Sequence, residues 1–149
     1  PLLNAVLSIN YNRPIKLVEL AEKALGTLDN KHVVLLGIAF KEGTDDLRDS
    51  PAITIINELL KRNANITAWD PKVSNYRVVT IVSSIEEALN NADCAIITTN
   101  YKEITSLDWK VSVANMKTPV IIDGRNILKD TSLPDSAIYI TVGETRNVK

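Results

Sequence analysis

The sequence predicts a doubly wound α/β fold on a mainly parallel sheet, and three observations predict it. Aliphatic runs such as Val33-Val34-Leu35-Leu36 and Val120-Ile121-Ile122 carry no polar alternation, as strands covered on both faces do. Segments with apolar residues at helical spacing separate these runs, so strands and helices take turns along the chain. The 149 residues, 45% hydrophobic and 23% charged, are enough for one good core and short for two.

Residues 1–26 read as a long helix, with Leu3, Val6, Leu7 and Ile9 followed by Leu17, Val18, Leu20, Ala21 and Leu25. Pro14 lies inside it and costs roughly 3 kcal/mol through a lost hydrogen bond and a clash, which predicts a kink or a break near Asn12-Arg13-Pro14. Gly26 suits the C-terminal cap. The apolar residues cover more than one stripe, which fits a helix with a partner outside these residues. After Pro14, an ordinary amphipathic helix docked on its own sheet fits as well.

The first strand is read over residues 33–39, and Ser50-Pro51 starts the next helix as cap and first helical residue. Ile53, Ile56, Leu59 and Leu60 recur at helical spacing, and Asn63 stops the helix. Residues 40–49, between strand and helix, are more than the roughly 2–6 usual for such a connection. They leave the carboxyl end of a parallel strand, the edge where open α/β sheets bind ligands. Gly37 and Gly43 do not have the spacing of a phosphate-binding glycine-rich turn, and Asp45, Asp46 and Asp49 oppose Lys41 and Arg48. From the residues alone, a self-paired solvated loop and a ligand loop both fit.

Residues 65–71 read as a second strand ending in an acid, with Asp70 before Pro71 a turn former, because the ribose-binding role of an acid there needs the missing glycine-rich turn. Residues 78–82 suit a short strand. Ser83 or Ser84 caps a helix whose Glu86 and Glu87 sit at the positive end of its dipole. Residues 93–99 form the next buried strand, 108–116 a helix, 119–123 another strand and 137–143 the last, before a polar, frayed tail. Arg125 follows the 119–123 strand, at the same sheet edge as the 40–49 connection. Lys41, Arg48 and Arg125 can therefore converge as an anion site, the alternative for Arg125 being a salt bridge with Asp123 or Asp130.

A net charge of −1 provides no field to draw in nucleic acid or an anionic membrane, so an anionic ligand must be held by a few placed cations. No run approaches the ~20 apolar residues that span a bilayer, and there is no secretion signal, which predicts a cytoplasmic protein. A single cysteine excludes an internal disulfide, and a single histidine argues against a His-based metal site or a Ser-His-Asp triad. Cys94 falls in an apolar strand and reads as an inert thiol, His32 as a surface residue.

The run Leu36-Gly37-Ile38-Ala39-Phe40-Lys41, then Gly43-Thr44-Asp45-Asp46-Leu47-Arg48-Asp49-Ser50-Pro51, resembles the signature opening the carboxyl-terminal domain of UDP-glucose/GDP-mannose dehydrogenases. Asp123-Gly124-Arg125-Asn126-Ile127-Leu128 resembles that family's second signature, and Ile9-Asn10-Tyr11-Asn12-Arg13-Pro14 its run at the end of a long central helix. Thr99-Asn100-Tyr101 matches the family only loosely, and no role is assigned there.

The resemblance implies a Rossmann-like domain that binds the nucleotide of a UDP-sugar. Residues 1–28 would be the end of an inter-domain and dimerisation helix, and 29–149 the UDP-sugar-binding domain. It implies that Phe40 and Lys41 close on the nucleotide-sugar, that Arg125 contacts it, and that Arg48 reaches NAD bound on another domain. Arginine's bidentate donors, a compact lysine charge and an apolar phenylalanine wall suit those tasks. The family oxidises the sugar's primary alcohol to a carboxylate in two hydride transfers to NAD, through a thiohemiacetal on a cysteine. No catalytic residue of that chemistry is assigned here, since the sequence has neither the glycine-rich dinucleotide turn nor the family's cysteine loop. The chain is therefore expected to be the nucleotide-sugar-binding part of a homodimeric enzyme, inactive alone, with the NAD-binding domain missing. UDP-glucose is the expected substrate, another UDP- or GDP-sugar or a non-catalytic nucleotide-binding module the alternatives.

Overall fold

The computed structural model describes residues 2–39, 47, 50–76, 79–141 and 145–146. Helix α1 (Leu2–Leu25) leads into strand β1 (His32–Leu36), helix α2 (Pro51–Lys61), strand β2 (Asn65–Trp69) and strand β3 (Thr80–Val82). Helix α3 (Ile85–Leu89), strand β4 (Cys94–Ile97), helices α4 (Lys102–Thr105) and α5 (Trp109–Asn115), and strands β5 (Val120–Asp123), β6 (Ile138–Thr141) and β7 (Thr145–Arg146) follow.

The sheet order is β3-β2-β1-β4-β5-β6-β7. Strands β1 to β6 are parallel throughout, the 3-2-1-4-5-6 order of a doubly wound dinucleotide-type fold. The tail is not wholly frayed: β7 runs antiparallel to β6, Tyr139 facing Arg146 across the register. Pairing with an otherwise open sheet edge accounts for a strand that polar residues do not announce.

The uninterrupted apolar runs are strands because both faces are covered. Val33 and Leu35 point into a core with α1 and α2, together with Cys94, Ile96, Val120 and Ile122. Val34 and Leu36 point into the opposite core with α3 to α5, Ala95, Ile97, Ile121 and Tyr139. Each fully buried aliphatic side chain contributes roughly 1.5–3 kcal/mol relative to exposure.

The helix ends follow local chemistry. Ser50 accepts from the N–H of Ala52, Ser84 from Glu87 and Asp108 from Val111. Asn63, at φ 60°, turns the chain out of α2, and Gly26, at φ 82°, ends α1 with its N–H on the Glu22 carbonyl. Helix α1 passes through Pro14 without a break. Burial of Leu17, Val18 and Ala21, on a helix packed against α2 and β5, offsets the lost hydrogen bond. The residues after Pro14 thus dock on the chain's own sheet. His32 is not simply a surface residue, because its Nε2 lies 2.8 Å from Thr67 Oγ1 and its backbone N–H donates to Asp93. Among the described residues, no helix is long and apolar enough to cross a membrane.

Candidate functional site

In this strand order the winding reverses between β1 and β4, and the crevice beyond their carboxyl ends is where such sheets bind ligands. Gly37 leaves β1 at φ 96°, its N–H on the Trp69 carbonyl at 2.7 Å. A Cβ there would lie 1.9 Å from Thr99 Oγ1, so only glycine lets β4's end approach this closely. Thr98 donates its hydroxyl to the Gly37 carbonyl, and Thr99 donates to that of Leu36 at 3.2 Å.

Asp70, at the end of β2, is buried and turned inward. The N–H groups of Ile38 and Ala39 donate to its Oδ2 at 2.9 and 3.1 Å. Lys72 N–H donates to Oδ1 at 2.9 Å, and the Tyr101 hydroxyl lies 3.4 Å from the same oxygen. Ser50 closes the other end of the β1–α2 connection, donating its hydroxyl to the Ile38 carbonyl at 2.6 Å.

This arrangement does not fit a dinucleotide at the chain's own crevice. Where a cofactor pyrophosphate would meet backbone N–H groups after β1, those groups already bind Asp70, and Asp70 is the acid that would otherwise take a ribose hydroxyl. The space over Gly37 is filled by Thr99.

The end of β5 is built by a second inward acid. Asp123, fully buried, accepts from the N–H groups of Arg125 at 3.0 Å and Leu128 at 2.9 Å, and from the Tyr139 hydroxyl at 2.6 Å. The carboxylate thereby shapes the turn that presents Arg125 at the surface. Asp123 does engage Arg125, through the backbone N–H.

A cavity of about 270 Å³ lies on the α1–α2 side of this edge. Arg13, Pro14 and Leu17 of α1 form one wall, and Ala39, Ser50, Pro51 and Ile55 from around the β1–α2 connection form another. Thr98, Gly124 and Arg125 complete it from β4 and β5. It is smaller than the roughly 300–1,000 Å³ that encloses a whole drug-sized ligand, so it suits one part of a larger molecule. Two arginines among otherwise mostly apolar lining residues match an anion joined to a flat ring.

A larger cavity, about 570 Å³, opens across the sheet beside Trp69, Ser84 and Leu107. Glu86, Glu103 and Asp108 line it with no Lys or Arg among its lining residues, so it disfavours an anion. Among the described residues, no group of three or more His, Cys, Asp or Glu is placed to hold a metal. Burial pushes the Cys94 thiol far above its ordinary value, which leaves it un-ionised and unreactive.

Of the residues singled out in the sequence, Arg125 stands on the cavity rim; Phe40, Lys41 and Arg48 lie outside the described residues. The ends of the connection that carries them, Ala39 and Ser50, line the same cavity as Arg125. Sequence reasoning missed Arg13. Its Nη2 donates to the Gly124 carbonyl at 3.4 Å across 111 positions of sequence, a neighbourhood no local pattern announces. It also missed the inward turn of Asp70 and Asp123, whose one signal was an acid closing an apolar strand.

Known proteins share the sequence and the fold of this chain. A family model for the UDP binding domain of the UDP-glucose/GDP-mannose dehydrogenase family matches residues 34–130. A UDP-glucose 6-dehydrogenase of Rickettsia bellii is 36% identical over 151 residues, covering 95% of this chain and 35% of that protein. The solved structure of a UDP-glucose dehydrogenase from Pyrobaculum islandicum superposes with a TM-score of 0.76 at 32% identity, over 91% of this chain and 31% of that one. That of a UDP-D-ManNAc dehydrogenase from Pyrococcus horikoshii gives 0.79 at 30% identity, over 91% and 32%. The chain spans about a third of the length of these relatives. Two signatures, the strand order and these likenesses agree: the chain belongs to the UDP-glucose/GDP-mannose dehydrogenase family, and it carries that family's UDP-binding domain.

Proposed function

We propose that this chain holds the uridine nucleotide of a UDP-sugar at the cavity between α1, the exit of β1 and the turn after β5, as part of an NAD-dependent UDP-glucose dehydrogenase. The enzyme would oxidise UDP-glucose to UDP-glucuronate in two hydride transfers. The observation that carries the reading is that one cavity gathers Arg125 with both ends of the β1–α2 connection. Phe40 and Lys41 then close on the nucleotide-sugar, Arg125 contacts it and Arg48 reaches NAD.

On this reading, residues 1–28 end an inter-domain and dimerisation helix and 29–149 are the UDP-sugar domain. NAD and the catalytic thiol belong to sequence outside these 149 residues. The misfit of a dinucleotide at Asp70 supports that division, as does the unreactive Cys94. The full enzyme is a cytoplasmic homodimer, and this chain alone binds without oxidising.

A second reading changes only the sugar. The Pyrococcus horikoshii UDP-D-ManNAc dehydrogenase has the higher TM-score, 0.79 against 0.76, at slightly lower identity, 30% against 32%, which favours an N-acetylated sugar as the competing substrate.

Titration calorimetry with UDP, UDP-glucose, UDP-N-acetylmannosamine and GDP tests both. Uridine nucleotides should bind ahead of GDP, and Lys41→Ala and Arg125→Ala should each weaken them at least about tenfold, as loss of a charge-assisted contact does. Binding untouched by either substitution would move the site elsewhere. NAD reduction by this chain with a UDP-sugar would contradict its assignment as a binding part.

A further inference from the structure

We propose that α1 belongs to the ligand site itself and that Arg13 is a second guanidinium, beside Arg125, binding the diphosphate of the nucleotide; this rests on the reading above that the cavity receives a uridine nucleotide. Arg13 and Pro14 line the cavity together with Ala39 at the β1 exit, and Leu17, one turn further along the same helix, lines it too. The Arg13 Nη2 contact to the Gly124 carbonyl is 3.4 Å, long for an N–H···O bond, and Gly124 immediately precedes Arg125. Both guanidinium-bearing residues therefore belong to one rim, although one sits on a helix and the other on a strand-end turn.

Packing sets their separation. A Cβ on Gly124 would lie 2.8 Å from Leu17 Cδ1 and 2.8 Å from the Ile97 carbonyl oxygen. The Ile97 backbone is what requires glycine at this position, and the Leu17 side chain of α1 rests on the same spot, so α1 packs directly on the turn that carries Arg125. Among the described residues Arg13 has no carboxylate partner, in contrast to Arg62, which pairs with both Glu58 and Glu22. A diphosphate offers what the weak carbonyl contact does not, several anionic oxygens matched to a planar fork of donors. With a net charge of only −1 on the whole chain, such placed cations and not a general field must select the anion.

Calorimetry of the chain with UDP, inorganic pyrophosphate and uridine tests this, using the unsubstituted protein, Arg13→Ala, Arg13→Lys and Lys16→Ala. Arg13→Ala should weaken UDP and pyrophosphate at least about tenfold while leaving uridine unchanged. Arg13→Lys should recover part of the loss, because charge returns without the fork. Lys16→Ala removes a charge from the same helix away from the cavity lining and should leave UDP binding unchanged. Arg13→Ala binding UDP as tightly as the unsubstituted chain, or losing UDP and uridine equally, would overturn the inference while the nucleotide reading stands. If the unsubstituted chain takes up neither UDP nor pyrophosphate, the nucleotide reading falls and the role of Arg13 with it.

Discussion

Asp70 and Asp123 close parallel strands at the same edge of the sheet, each is buried, and each accepts from backbone N–H groups and a tyrosine hydroxyl. They differ in reach. Asp123 binds N–H groups two and five positions ahead and so builds its own turn, the one bearing Arg125. Asp70 also takes an N–H two positions ahead, that of Lys72, but its other oxygen binds N–H groups 31 and 32 positions back and so fixes the exit of a different strand. One half of the candidate site is therefore assembled locally and the other from a distance. An acid in the position of a cofactor ligand serves here as scaffold.

The largest effect is expected at Asp123. Asp123→Ala leaves the buried Leu128 N–H and the Tyr139 hydroxyl, bound at 2.6 Å, without this acceptor, while Arg125 is exposed and its N–H can turn to water, and should cost about 3 kcal/mol. Asp70→Ala also strands the N–H groups of Ile38 and Ala39, but Lys72 is exposed and its N–H can turn to water, so about 2 kcal/mol is expected. Asp70→Asn should recover part of that, since its carbonyl oxygen can still accept from Ile38 and Ala39. Urea unfolding orders the three variants, and equal losses at the two alanines would break the comparison.

The tyrosines sharpen it at smaller scale. Tyr139→Phe deletes a 2.6 Å bond to Asp123 and should cost about 1 kcal/mol, whereas Tyr101→Phe deletes a 3.4 Å contact to Asp70 and should cost less. A larger loss at Tyr101 would mean that the distant assembly, and not the local one, holds the edge together.

The contrast also explains what the residues alone made legible. Buried parallel strands appear as unbroken apolar runs, and Ser50, Ser84, Asp108, Gly26 and Asn63 carry their own capping or turn chemistry, so strands and helix ends were readable. Helix α4 is a single turn without a side-chain cap and left no signal. Strand β7 exists because β6 offers it an edge, and α1 crosses Pro14 unbroken because its later turns are packed; both are decided by tertiary contacts. At the site, Arg125 was legible because it follows an apolar strand. Arg13 was not, because its neighbour Gly124 is remote in sequence. An acid at a strand end reads alike as ligand or as scaffold until its partners are seen.

If an anion binds at the edge over β1, β4 and β5 on the α1–α2 side, amide NMR of the chain titrated with UDP will locate it there. Shifts should concentrate at Ala39, Thr98, Gly124 and Arg125, with Ser84 and Leu107 of the acidic cavity unmoved. Shifts centred on Ser84 and Leu107 would contradict it.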